Sequence, residues 1–174
     1  MPTVILIHSE CVATQIPAGP GTKPHPEFPM TSVNVPNAMT PFDDVLCCGQ
    51  PTADALEECR RKGIKTIINL RPATEQAGWD EAEAVEKLGL KYVNIPIASE
   101  GDLTRENVSA FDRALKDNGA PAVVHCASGN RVGALFALRA AWIEGKGADE
   151  ALDIGRRSGL TGMEPAVRRL LEHR

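Results

Sequence analysis

The sequence is poor in aromatic residues and has no large excess of charge of either sign. Its 174 residues include two Trp, one Tyr and four Phe, and 19 basic side chains stand against 23 acidic ones, for a formal charge of -4. Single-stranded nucleic acids are bound by stacking on aromatic rings, and polyanions are attracted to basic surfaces. We therefore expect no nucleic-acid partner. No apolar run approaches the roughly 18 residues that span a bilayer, so we expect no membrane partner.

The cysteines and histidines lack the spacing of a metal site or a disulfide framework. The five cysteines are an odd number, and neither a CxxC nor an HExxH pattern occurs. The first residues also lack the basic flank and the full apolar length of a secretory signal. The sequence therefore predicts free thiols, no metal, no cofactor and a cytoplasmic location.

Proline divides the chain into two parts. Seven of the 13 prolines fall between Pro17 and Pro41. Proline fixes φ and has no amide donor, so this stretch is neither helix nor central strand. We predict a proline-rich extension over residues 1–40, with a short strand at residues 4–7, and one domain over residues 41–174.

After Pro41, short apolar runs alternate with segments of helical periodicity. Strands are predicted at residues 45–48, 65–70, 92–97 and 122–125. Helices are predicted at residues 53–62, 80–88, 104–119, 133–142, 149–157 and 164–173. This alternation predicts an α/β fold with a mainly parallel sheet covered by helices on both faces.

The segment from Ala122 to Gly133 carries the chemistry. A buried strand leads into Cys126, a turn contains Gly129, and a helix begins around Arg131. A helix start at the carboxyl end of a strand offers free amides and partial positive charge, and a glycine lets those amides converge on an anion. A cysteine placed there beside a guanidinium favours the thiolate and becomes a nucleophile activated by its environment.

Two plainer interpretations stand beside this one. Cys126 and the Cys-x-x-Gly spacing alone favour an ordinary buried thiol, and only the combination of Cys126 with Gly129 and Arg131 favours an oxyanion site. We interpret His125, which lies within the strand, as a structural residue hydrogen-bonded to the backbone rather than as a general base.

The run His-Cys-Ala-Ser-Gly-Asn-Arg at residues 125–131 resembles the phosphate-binding loop of the protein tyrosine phosphatase superfamily. Together with Gly-Gln-Pro at 49–51, Thr-Ile-Ile-Asn-Leu-Arg-Pro at 66–72 and Asn-Ile-Pro at 94–96, residues 42–174 most resemble the bacterial beta-lactamase hydrolase-like, phosphatase-like domain family. The resemblance implies a three-layer fold like that of dual-specificity phosphatases, with a twisted, mainly parallel sheet between helices. It also implies hydrolysis of phosphomonoesters through a phosphocysteine intermediate, without a cofactor.

The resemblance also implies roles for individual residues. Cys126 is the expected nucleophile, and Arg131 is the expected bidentate clamp on phosphate. The loop amides are expected to stabilise the transition state; they belong to Ala127, Ser128, Gly129, Asn130 and Arg131. The expected partner is a phosphorylated small molecule or a phosphoprotein, with phosphate or sulfate held in the loop.

The loop departs from the superfamily pattern in two ways. Four residues rather than five separate Cys126 from Arg131, and Val132 stands where a Ser or Thr is usual. The shorter loop is a smaller cradle, and the missing hydroxyl predicts slow hydrolysis of the intermediate. A Cys-x4-Arg loop also resembles that of single-domain rhodaneses. A persulfide-carrying sulfurtransferase and a non-catalytic oxyanion-binding module therefore remain alternatives.

A phosphatase needs a general acid, and two carboxylates precede the last predicted strand. Asp102 has the usual residue type, while Glu100 lies nearer to the expected register; the alternative is a solvated acidic loop in which Asp102 assists the next helix. Family similarity places Arg71 near the pocket, where it can hold a second anionic group, the alternative being an exposed strand-end arginine. With Tyr92 as the single tyrosine, we expect a shallow, permissive site.

Overall fold

The computed structural model of the protein describes residues 33–75 and 77–172. The strand expected at residues 4–7 therefore lies outside the described residues, as does most of the expected extension. In chain order the elements are β1 (Met39–Phe42), β2 (Val45–Cys48), α1 (Ala53–Arg61), β3 (Thr66–Asn69), α2 (Glu81–Lys87), β4 (Lys91–Asn94), a 3-10 turn (Glu100–Asp102), α3 (Arg105–Asp117), β5 (Ala122–His125), α4 (Asn130–Trp142), α5 (Ala148–Arg157) and α6 (Glu164–Glu172).

The strands form one five-stranded sheet in the order β1-β2-β5-β3-β4. The pairs β2–β5, β5–β3 and β3–β4 are parallel, and β1 runs antiparallel to β2 at the edge. The predicted α/β fold with a mainly parallel sheet is therefore confirmed. The sequence did not indicate β1, because Pro41 lies within it; an edge strand tolerates proline, since one side of its backbone has no strand partner.

The hydrophobic core has two parts, one on each face of the sheet. Val124 points into the larger part, which includes Phe111 of α3 and Leu135 of α4, and Val123 points into the smaller part. A strand buried on both faces has no polar alternation, which explains the continuous apolar runs in the sequence. Val33 and Val35 are also buried in the smaller part, so packing extends N-terminal of residue 41; the division of the chain at residue 40 stays a prediction.

Side-chain caps begin three of the helices where the sequence placed them. The side chains of Thr52, Asp80 and Thr104 each accept a hydrogen bond from the amide three residues later. Helix α4 begins differently, because Gly129 precedes it in a left-handed conformation and supplies no side-chain cap. The start of α4 therefore keeps amides that an anion can use.

Among the helices of the described part of the chain, none combines the length and the apolar composition that a bilayer crossing requires.

Candidate active site

Cys126 is the first residue after β5 and is buried against the start of α4. Its Sγ accepts a hydrogen bond from the amide of Gly129 at 3.0 Å. Gly129 has φ 94°, a left-handed conformation that glycine adopts without the steric cost of a Cβ. This turn aims the backbone amide of Gly129 back at the sulfur.

Hydrogen bonds from outside the loop fix the direction of its peptide groups. The carbonyl of Ala127 accepts from the amide of Gln50 at 3.2 Å, and that of Ser128 accepts from Nδ2 of Asn37 at 3.0 Å. A trans peptide points its carbonyl and its amide in opposite directions. The amides of Ser128 and Gly129 therefore point away from these partners, which for Gly129 is the direction of Cys126.

Arg131 lies in the first turn of α4 and is held by two partners. Its Nη1 and Nη2 donate to the two carboxylate oxygens of Glu75 at 2.8 and 2.7 Å, and Nη1 also donates to the carbonyl of Ile97 at 2.9 Å. The hydrogen bond with Glu75 is the main cause that raises the pKa of Arg131, and the proximity of Cys126 raises it further. These contacts use three of the five N–H groups of the guanidinium, so that Nε–H and one N–H of Nη2 remain for Cys126 or an oxyanion.

Glu75 is the site residue that the sequence analysis missed. It lies in the connection between β3 and α2, and the hydrogen bond from Arg131 is the main cause that holds its pKa below the usual range. Nε of Arg71 also donates to Oε2 of Glu75 at 3.3 Å, and Arg71 donates to Gln50 as well. Residues 71 and 75 lie in a connection without helical or strand periodicity, so the sequence carries no signal that would link Glu75 to Arg131.

The two candidate acids are engaged in other contacts. The Asp102 carboxylate accepts from the amides of Ala98 and Ser99 at 2.9 and 2.8 Å, and these bonds, that of Ser99 first, hold its pKa below the usual range. Together with Ser99, which accepts from Gly101, it forms a capping box around the 3-10 turn. Glu100 accepts from Arg169 of α6 at 2.8 Å. None of these contacts joins either carboxylate to Cys126.

A buried polar group lies beneath the loop on the opposite side of the sheet from α4. Nε2 of His125 is 2.8 Å from Oε1 of Glu81, although the two are not aligned as a hydrogen bond, and both residues are buried. Oε2 of Glu81 accepts from Asn69 at 2.9 Å and from Gln50 at 3.3 Å. The imidazole of His125 thus lies beside the carboxylate of Glu81. The hydrogen bond to the backbone that the sequence predicted for it is not formed.

The start of α4 is anchored to the connection between α5 and α6. Oδ1 of Asn130 accepts from the amides of Thr161 and Met163 at 2.9 and 3.2 Å. A Cβ at Gly133 would lie 2.0 Å from the amide nitrogen of Leu160, so the backbones meet there without space for a side chain. The side-chain oxygen of Asn130 is therefore occupied by the amides of Thr161 and Met163. The group of Asn130 that an anion can use is its backbone amide.

Burial keeps the thiols of Cys47, Cys48 and Cys59 in the protonated form. Burial raises the pKa of Cys47 and Cys48, and raises that of Cys59 to about 11. These three thiols are therefore protonated at neutral pH. Within residues 33–75 and 77–172, no group of three or more His, Cys, Asp or Glu side chains is placed to hold a metal ion.

The sequence matches the family described as beta-lactamase hydrolase-like protein, phosphatase-like domain, over residues 39–143. A beta-lactamase hydrolase-like protein from Xylella fastidiosa is 38% identical over 94 residues, which are 52% of this chain and 22% of that protein. This chain therefore matches less than a quarter of the length of that relative.

Solved structures show the same fold. The crystal structure of a candidate phosphatase from Neisseria meningitidis has a TM-score of 0.65 and 24% identity, over 78% of this chain and 97% of that one. TpbA from P. aeruginosa in complex with pTyr has a TM-score of 0.53 and 14% identity, over 72% of this chain and 76% of that one. At these identities the likeness shows the dual-specificity-phosphatase-like fold that the sequence predicted.

Proposed function

Because the chain belongs to the family of beta-lactamase hydrolase-like proteins, phosphatase-like domain, we propose that it is a cysteine-dependent phosphatase that hydrolyses phosphomonoesters. The family and the fold support a phosphatase-type function. The observation that carries the cysteine mechanism is that Cys126 Sγ lies on the amide of Gly129 at the uncapped start of α4, with Arg131 beside it.

The proposed reaction has two displacements at phosphorus. In the first, the Cys126 thiolate attacks, an S–P bond forms, and the P–O ester bond breaks with its electron pair on the leaving oxygen, which takes up a proton. In the second, water attacks phosphorus, the S–P bond breaks, and the thiolate and inorganic phosphate are released. No oxidant, reductant or metal enters this balance.

The loop stabilises the three non-bridging oxygens of the transferring phosphoryl group. The amides of residues 127–131 are the proposed donors, and the free Nε–Nη2 edge of Arg131 is the proposed clamp. Glu75 acts as a positioning residue. Its two hydrogen bonds with Nη1 and Nη2 of Arg131 orient the guanidinium so that its Nε–Nη2 edge faces the phosphate bound at Cys126. Because Glu75 and phosphate use different N–H groups of Arg131, Glu75 can stay bound to the guanidinium while phosphate is held.

Asp102 is the proposed proton donor to the leaving oxygen, and Glu100 is the alternative. The hydrogen bonds from Ala98 and Ser99 favour the ionised form of Asp102. Esters whose leaving oxygen departs without a proton are therefore the better substrates, and aryl phosphates are of this kind. The TpbA complex with pTyr supports a phosphorylated small molecule or phosphoprotein as the substrate class.

A paired assay tests the proposal against sulfur transfer. Release of p-nitrophenol from p-nitrophenyl phosphate and sulfur transfer from thiosulfate to cyanide are measured with the wild type, Cys126→Ser and Cys59→Ser. We expect phosphate hydrolysis that is lost in Cys126→Ser and kept in Cys59→Ser, the matched control at a protonated thiol. Sulfur transfer without phosphate hydrolysis would instead establish a rhodanese-like function.

A further inference from the structure

A pocket of about 480 Å³ lies next to the proposed phosphate site. Glu75 joins the two, because it lines the pocket and also contacts Arg131. Arg71, which supports Glu75, lines the pocket as well. The pocket therefore reaches the proposed phosphate site through Glu75, the lining residue that contacts Arg131.

The walls of the pocket combine aromatic rings with acidic groups. Trp79 and Tyr92 line it, so a tryptophan accompanies the single tyrosine in its wall. Asp80 lies exposed at the pocket, and Glu81 lines it while being 6% exposed, with an Oε1 that makes no aligned hydrogen bond. An aromatic wall favours a ring-shaped ligand.

The balance of charge in the pocket is negative. Three carboxylates line it, from Glu75, Asp80 and Glu81, against one guanidinium from Arg71. Arg71 donates to Glu75 and to Gln50, and Arg131 also donates to Glu75. Both guanidinium groups are therefore paired with the same carboxylate. Asp80 and Glu81 carry the remaining negative charge of the lining, and Oε1 of Glu81 also lies 2.8 Å from Nε2 of His125.

We propose that this pocket is the leaving-group subsite and that it selects aromatic alcohols that are uncharged or cationic over those that carry a further negative charge. This inference rests on the proposed function. It replaces the expectation that Arg71 holds a second anionic group, since the groups around Arg71 favour the opposite charge.

Binding to the Cys126→Ser variant tests the proposal without turnover. Calorimetry compares inorganic phosphate with three esters that differ in charge: phenyl phosphate, tyramine phosphate and 4-carboxyphenyl phosphate. We expect tyramine phosphate to bind about tenfold more tightly than 4-carboxyphenyl phosphate at low salt, with phenyl phosphate between them. At about 1 M salt the ratio should fall toward about threefold, because the exposed Asp80 carboxylate is screened whereas the buried Glu81 carboxylate is screened much less.

Two further variants identify the groups responsible. Asp80→Asn, made in the Cys126→Ser background, keeps a side chain that can cap α2 and should reduce the ratio to about threefold. Asp117→Asn, which removes an exposed carboxylate at the end of α3, should leave the ratio unchanged. Thermal unfolding confirms that both variants remain folded.

The outcomes separate this inference from the proposed function. If inorganic phosphate binds but the anionic ester binds as well as the cationic one, or Asp80→Asn leaves the ratio unchanged, the charge selection is wrong and the phosphatase proposal stands. If neither inorganic phosphate nor any ester binds, the phosphate site itself is wrong, and the leaving-group subsite falls with it.

Discussion

Glu75 and Arg131 form a two-point contact, with Nη1 and Nη2 of the guanidinium 2.8 and 2.7 Å from the two carboxylate oxygens. The carboxylate comes from the connection after β3, and the guanidinium from the first turn of α4. The contact therefore joins two elements that follow neighbouring strands of the sheet. It also holds the guanidinium in a place where Cys126 contributes to its raised pKa.

Glu75→Gln should weaken phosphate binding without removing the nucleophile. Loss of the charge-assisted pair lets the guanidinium rotate, and we expect the KM for p-nitrophenyl phosphate to rise about tenfold, with a smaller change in kcat. Glu83→Gln is the matched control, since Glu83 pairs with Lys87 on the exposed face of α2. Steady-state kinetics that show equal KM values for wild type and Glu75→Gln would contradict the positioning role.

Acid should weaken the contribution of Glu75 to stability. Its pKa is lowered in the folded protein, so the contribution is complete above the unfolded value of about 4.3 and is lost as the pH falls through the lower folded value. Urea unfolding of the wild type and Glu75→Gln, followed from neutral to acid pH, measures this directly. The difference in the free energy of unfolding should shrink toward acid; a difference that grows would reverse the sign of the coupling.

Asp102→Asn should affect esters according to their leaving group. Glycerol phosphate needs a proton on its leaving oxygen, so we expect its kcat to fall about 100-fold, whereas kcat for p-nitrophenyl phosphate changes little. The wild-type rate on glycerol phosphate should decline as the pH rises, because Asp102 loses the proton that it donates. Since the pKa of Asp102 is lowered, this decline should lie at a lower pH than for an ordinary aspartate, and it should be absent in the variant. The same pattern in Glu100→Gln, with a normal Asp102→Asn, would assign the proton donor to Glu100.

Gly133→Ala should destabilise the protein strongly. The added Cβ would lie 2.0 Å from the backbone nitrogen of Leu160, which is not a flexible group that can move aside. We expect a loss of about 3 kcal/mol in the free energy of unfolding. Gly147→Ala is the control, because a Cβ there meets no atom within 4 Å and its φ is -64°. Chemical denaturation that finds the two variants equally stable would show that α4 and the turn at Leu160 are not in contact.

The sequence predicted the parallel strands and the helices well because each carries a local signal. Thr52, Asp80 and Thr104 mark helix starts, and Gly129 marks the turn into α4. Strand β1 gave no such signal, because its place is set by pairing with β2 and not by its own residues. The strand predicted at residues 92–97 shows the same limit: β4 ends at Asn94, although the amides of Ile95 and Ile97 still donate to the carbonyls of Asn69 and Leu70.

For the site, the loop was predictable and its partners were not. Cys126, Gly129 and Arg131 lie within six residues of one another, so their proximity follows from the strand-to-helix turn. Glu75 reaches Arg131 from 56 positions away, a contact that depends on strand order and on the path of a loop. Neither property can be derived from the spacing of residues in one sequence.

The measurement that tests the account most directly is capture of the covalent intermediate. The protein is mixed with p-nitrophenyl phosphate, quenched in acid during turnover, digested and examined by mass spectrometry, with Cys126→Ser as the comparison. We expect one phosphoryl group on the peptide that contains Cys126 and none in the variant. Hydrolysis that continues in Cys126→Ser, or turnover without any phosphoryl group on Cys126, would contradict the cysteine mechanism.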